Sequence, residues 1–179
     1  MKTLVEGFTK QLQEALDIAH SATLTQKHNV HNIVVTGLGG SGIGGTVLSE
    51  LIQAECPIPV IVNKDYFLPE FVNANSLVII SSYSGNTEET LSAMKQAIAK
   101  KAQIVCVTSG GKVLEIAKQH QFDTIIIPGG HPPRSCIGYS LVQLLKIVQF
   151  NGFVKTDLFN KVILSATCFN KSVLTNPLN

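Results

Sequence analysis

Three aliphatic hydroxyl side chains fall within the six residues Ser82-Tyr-Ser-Gly-Asn-Thr87. They surround a glycine where the apolar run Leu77-Val-Ile-Ile-Ser81 gives way to a helical pattern. Hydroxyls and main-chain N–H groups at a helix N-terminus can together enclose a phosphate without any lysine. Ser82, Ser84 and Thr87 therefore read as phosphate ligands. A plainer reading has Thr87 cap the helix, with Glu88 and Glu89 complementing its dipole. Capping accounts for one hydroxyl but not for three in one loop, and the two roles are compatible.

Two further segments carry chemistry. Pro128-Gly-Gly-His-Pro-Pro-Arg134 contains the only arginine of the chain. A surface arginine is usually just solvated. This one sits in a stiff proline–glycine loop at the end of a strand, where a fixed guanidinium suits an anion or a developing enediolate. His131 has solvent exposure as its ordinary reading. The other segment, Gly37-Leu-Gly-Gly-Ser-Gly-Ile-Gly-Gly45, follows an apolar run and reads as a loop along which backbone and ligand approach closely. It also satisfies G-x-G-x-x-G, the dinucleotide pattern, whose acidic companion should close the second strand. Asp65 is a late and imperfect candidate for that residue, and a purely structural glycine turn is the remaining alternative.

The elements that must position these loops alternate regularly. Leu4, Phe8, Leu12, Leu16 and Ala19 form one apolar helical face over residues 4–24. Strands are expected at 32–37, 59–63, 77–81, 103–108 and 123–127, with helices at 42–53, 87–101, 112–120 and 135–150. Strands apolar on both faces that alternate with helices predict a three-layer αβα sandwich around a five-stranded parallel, doubly wound sheet. Ligands in such sheets bind at the carboxyl ends of the strands, where all three segments lie. Residues 1–150 read as one domain. Residues 151–179, with a further helix expected over 156–172, read as a linker into a missing second domain.

Bulk composition narrows the partners. The formal charge of +2 comes from scattered lysines with no basic run, which argues against nucleic acid. No signal peptide pattern and no apolar run of transmembrane length is present, so no membrane partner is expected. Cys56, Cys106, Cys136 and Cys168 form no C-x-x-C pair, and Cys106 lies in an apolar run. A reduced, cytoplasmic protein is the expectation.

The loop from Ser82 to Thr90 resembles the signature of SIS (sugar isomerase) domains, which bind phosphosugars. Gly39-Gly-Ser-Gly-Ile-Gly44 and Pro128–Tyr139 further resemble the bifunctional phosphoglucose/phosphomannose isomerases, and the resemblance covers about residues 30–150. It implies a flavodoxin-like sheet, phosphate contacts from Ser82, Ser84 and Thr87, and Gly40 and Ser41 against the sugar. Arg134 would stabilise the enediolate. It also implies interconversion of fructose 6-phosphate with glucose or mannose 6-phosphate, no cofactor or metal, and a homodimer. In that family a glutamate base and a histidine come from a second SIS domain downstream of the arginine. This chain has no glutamate beyond Glu115 and no histidine beyond His131. Glu88 and Glu89 are weak substitutes in a helical first turn, and Glu50 reads as solvent-facing. A non-catalytic phosphosugar sensor and a stand-alone isomerase of another ketose phosphate are the alternatives.

Overall fold

The computed structural model describes residues 7–158 together with 161, 162 and 164. Helix α1 (Phe8–Ser21) buries Leu12, Leu16 and Ala19 of the expected face together with Ala15, while Phe8 is half-buried and Leu4 lies outside the described residues. Strands β1 (Asn32–Thr36), β2 (Val60–Asn63), β3 (Ser76–Ser82), β4 (Gln103–Thr108) and β5 (Asp123–Ile126) then alternate with helices. The helices are α2 (Gly39–Ile52), α3 (Glu88–Ala99), α4 (Gly111–His120) and α5 (Ile137–Phe150), and a 3₁₀ turn, Pro133–Ser135, precedes α5. The helix expected over 156–172 lies largely outside the described residues, as Cys168 does entirely.

All pairings are parallel and the strand order is β2-β1-β3-β4-β5. This is the flavodoxin-like order of a doubly wound sheet, and the chain changes direction between β1 and β3. Because strand side chains alternate, β3 sends Leu77 and Ile79 into one core and Val78 and Ile80 into the other. The first core gathers α1, α2 and α5; the second gathers Ala93, Met94 and Ala97 of α3 with Val113 and Ala117 of α4. Both faces of the sheet are thus covered, giving the expected three layers. Every residue of β3 is buried, which is why its run carries no polar alternation. No helix of the described residues is long and apolar enough to cross a membrane.

Cys56, Cys106 and Cys136 are free thiols. Burial pushes the Cys106 thiol up to about 12, so it stays protonated and packs as a small apolar group.

One polar clamp ties the α1–β1 connection to the sheet edge. Lys27 Nζ lies 2.7 Å from Asp123 Oδ2, with 14% of each side chain exposed. The Thr25 N–H and hydroxyl donate to the same carboxylate. Burial alone would raise the Asp123 carboxyl, but the Lys27 and Thr25 donors outweigh it and hold it below its ordinary range. A depressed folded-state value gives stability that is present above the unfolded value, about 3.9, and lost as pH falls through the folded value. Asp123→Asn should therefore lower the Tm at pH 7 by about 2–4 °C. Thermal denaturation at descending pH should show the gap to the parent closing below about pH 4. A gap undiminished at pH 3 would contradict the clamp's electrostatic role.

Candidate functional site

The reversal of strand order opens a crevice between the ends of β1 and β3. On one side stands α2, whose first turn is Gly39-Gly-Ser-Gly42. The sequence suggests a loop there with a helix from Gly42; the helix in fact begins at Gly39. Glycine disfavours helix by about 1 kcal/mol per residue, so local propensity hides this turn. Packing overrides it, since a Cβ on Gly40 would stand 2.8 Å from the Pro133 carbonyl oxygen and 3.7 Å from Arg134 Cα. Only a bare backbone lets α2 start this close to the arginine loop. Gly40 and Ser41 are accordingly buried beneath the crevice.

On the other side β3 runs into the hydroxyl loop. Ser82 is buried, Thr87 is half-buried and Ser84 is exposed. Ser82 Oγ and Thr87 Oγ1 lie 3.3 Å apart, and the Asn86 N–H donates to Ser84 Oγ at 3.2 Å. Asn86 Oδ1 accepts the Lys112 N–H from α4, bracing the loop from its flank. Gly85 makes the turn at φ 67°. Thr87 occupies the N-cap position of α3, yet its hydroxyl makes no capping hydrogen bond. The Glu88 and Glu89 amides, first and second in the helix, have no intrahelical acceptor by geometry. They stand uncapped at the positive end of the dipole. This corrects the plain capping reading, because the hydroxyl turns toward Ser82 instead.

Arg134 lies in the 3₁₀ turn, exposed, with no carboxylate engaged among the described residues. Its backbone rests on Gly40. The structure thus gathers Gly40, Ser41 and the Arg134 backbone on the α2 side, and Ser82, Ser84 and Thr87 on the α3 side. Glu88 accepts from the Tyr66 hydroxyl at 3.4 Å. The Glu89 charge foremost, then burial and Glu88, raises that phenol. Both carboxylates are thus drawn toward Tyr66, and Glu50 is exposed on α2.

Tyr83 was not singled out by sequence, yet it bonds to the first turn of α2 and to the loops after β4 and β5. Its N–H donates to Ser41 Oγ (3.2 Å), and its carbonyl accepts from Ser109 Oγ (2.6 Å) and the Ser109 N–H (3.0 Å). Its phenol oxygen accepts the His131 N–H at 3.0 Å. Burial first, then the Cys136 thiol, raises this phenol, against the His131 donor. Ser109 was equally missed, although the rule that ligands gather at strand ends points to the loop after β4. The exposed His131 lines a cavity of about 260 Å³ with Lys10, Gln11, Glu14, Ser135 and Tyr139.

These features have counterparts among known proteins. A bifunctional phosphoglucose/phosphomannose isomerase of Caldicellulosiruptor bescii is 46% identical over 159 residues, which is 88% of this chain and 45% of that protein. The protein of the same name from Thermoplasma acidophilum is 50% identical over 114 residues, 64% of this chain and 34% of that one. The chain thus spans about half, or less, of the curated relatives it matches. A crystal structure from Clostridium difficile 630, provisionally named a phosphosugar isomerase, superposes with a TM-score of 0.72. It is 21% identical and covers 95% of this chain and 52% of that one, which speaks for the fold alone. The family model described as the SIS domain matches residues 26–132. That match takes in all five strands, the glycine turn of α2 and the whole hydroxyl loop, so the chain belongs to the SIS domain family.

Proposed function

We propose that this chain binds the phosphate of a hexose 6-phosphate on Ser82, Ser84, Thr87 and the uncapped amides of α3, with the sugar lying over Gly40 and Ser41 toward Arg134. The observation that carries the reading is the hydroxyl of Thr87. It sits at an N-cap position, where threonine ordinarily satisfies the helix amides, and leaves them open while facing Ser82. An anion completes such an end, and three hydroxyls within one turn add donors that fit phosphate oxygens.

The chemistry of the reading is aldose–ketose isomerisation, glucose or mannose 6-phosphate to fructose 6-phosphate, as the names of the curated relatives suggest. Moving a proton between C1 and C2 builds negative charge on an enediolate, and a guanidinium at the sugar end stabilises it. The step also needs a positioned base. On this reading residues 1–150 form the phosphate-and-arginine half of the enzyme. On the same reading residues 151–179 lead to a second SIS domain that supplies the glutamate and histidine.

Calorimetry on the 179-residue chain with fructose 6-phosphate, run beside a coupled isomerase assay, tests both parts. Saturable binding without turnover is expected. Ser84→Ala should weaken binding about 10- to 150-fold, the range for one hydrogen bond to a charged group, with the Tm little changed because the hydroxyl is exposed and its one bond, from the Asn86 N–H, lies at the surface. Unchanged affinity would remove Ser84 from the site, and no binding by the parent would overturn the phosphosugar reading. Turnover by the parent would place a base within residues 1–179.

A further inference from the structure

We infer that Tyr83 is a positioning residue whose phenol oxygen sets the arginine loop, and so Arg134, at a fixed place relative to the phosphate loop. The inference rests on the phosphosugar reading above and goes beyond it, by assigning a role to a side chain that need not touch the ligand.

The hydroxyl loop and the arginine loop leave the sheet from different strands, β3 and β5, with β4 between them. The sheet ladder joins only the roots of the two loops, Ser82 and Ile126 both pairing with Thr108 of β4, and does not fix their outer parts against each other. Two contacts do. The first is steric: α2 meets the arginine loop at Gly40. The second is Tyr83, the only residue of the hydroxyl loop hydrogen-bonded to residues 128–135 among the described residues. Its main chain is anchored at both ends, by the N–H to Ser41 and by the carbonyl to Ser109. Ser109 in turn lies under Gly129, whose added Cβ would stand 3.5 Å from Ser109 Oγ. The ring is half-buried against the α1/α2/α5 core. From this anchored base the phenol oxygen accepts the main-chain N–H of His131, three residues before Arg134.

The segment it holds is stiff. Pro132 and Pro133 fix two successive φ angles, and the Ser135 and Cys136 N–H groups close the turn on the Pro132 and Pro133 carbonyls. A displacement imposed at His131 therefore passes to Arg134 instead of being absorbed between them. A guanidinium serves a developing charge only where it is preorganised. Loss of the phenol oxygen should then impair recognition of the enediolate end of the ligand and spare the phosphate end, whose main-chain bonds to Ser41 and Ser109 do not involve that oxygen.

The test is a comparison of Tyr83→Phe, Arg134→Gln and the double variant of the 179-residue chain, by calorimetry with two probes. One is inorganic phosphate. The other is a phosphorylated sugar hydroxamate whose O–C–N–O edge mimics the cis-enediolate. Tyr83→Phe should bind inorganic phosphate within about twofold of the parent and the hydroxamate about tenfold more weakly, the scale of one hydrogen bond. In the Arg134→Gln background the same change should cost less than about twofold, because Tyr83 acts through the arginine. Equal weakening of both probes, or an undiminished effect in the Arg134→Gln background, would overturn the positioning role and leave the phosphosugar reading standing. So would a hydroxamate affinity unchanged by Tyr83→Phe. Failure of the parent to bind either probe would overturn both.

Discussion

Gly85→Ala is expected to weaken fructose 6-phosphate binding by more than about a hundredfold, equivalent to roughly 2.7 kcal/mol, while the sheet still forms. The turn between Ser84 and Asn86 runs at φ 67°, a left-handed conformation that costs a residue with a Cβ about 1–2 kcal/mol. Space is the harder limit. An added Cβ would overlap the Gly110 carbonyl oxygen, and Thr108 Oγ1 would lie 2.9 Å away. Neither neighbour can yield cheaply. Gly110 is backbone, and the Thr108 hydroxyl donates to its carbonyl and accepts its N–H. The loop must therefore move outward. The bonds from Gly85 N–H to the Ser82 carbonyl and from Val113 N–H to the Gly85 carbonyl would be strained or lost. That displacement separates Ser82 from Thr87, whose approach defines the site. Calorimetry with fructose 6-phosphate should show the loss, and thermal denaturation should show a stability cost of about 2–4 kcal/mol. An affinity within threefold of the parent would mean that the loop's shape does not matter to the ligand.

Arg134→Gln should carry the second large effect, and its selectivity is the informative part. The guanidinium is the only arginine of the chain and has no carboxylate partner among the described residues. Its removal therefore breaks no ion pair described here, and the Tm should hold. A charge-assisted bond to an anionic oxygen contributes about 1.5–3 kcal/mol. Affinity for the phosphorylated hydroxamate should fall about 10- to 150-fold. Fructose 6-phosphate, which carries no charge at C1 and C2, should lose several times less. Equal losses for the two ligands would place Arg134 on the phosphate and not at the reacting carbons.

The sheet was legible in the sequence because burial on both faces leaves a simple mark. Runs such as Leu77-Val-Ile-Ile-Ser81 have no polar alternation, and each of the five appears as a strand with ends displaced by one residue at most. The glycine turn of α2 was misread as loop for a physical reason. The glycines that weaken its local helical signal are what let Pro133 approach Gly40, a contact between residues far apart in sequence. The arginine loop hid a 3₁₀ turn over Pro133–Ser135, with α5 starting at Ile137 and not at 135. Proline tolerates a first helical turn because it needs no donor there, so the double proline did not mark a simple break. Thr87 carried the signature of a cap, yet the structure turns its hydroxyl toward Ser82. Tyr83 was hardest to find. Its partners Ser41, Ser109 and His131 lie 42, 26 and 48 residues away, and no local pattern distinguishes a tyrosine so placed.

Amide-resolved nuclear magnetic resonance of the chain titrated with fructose 6-phosphate tests whether residues 82–89 build a phosphate site. Saturable shifts are expected, concentrated at the amides of Ser84 to Glu89, with smaller ones at Gly40 and Ser41, and the same set reproduced in part by inorganic phosphate. Shifts clustered elsewhere, or none at these amides at millimolar ligand, would contradict a phosphate site there.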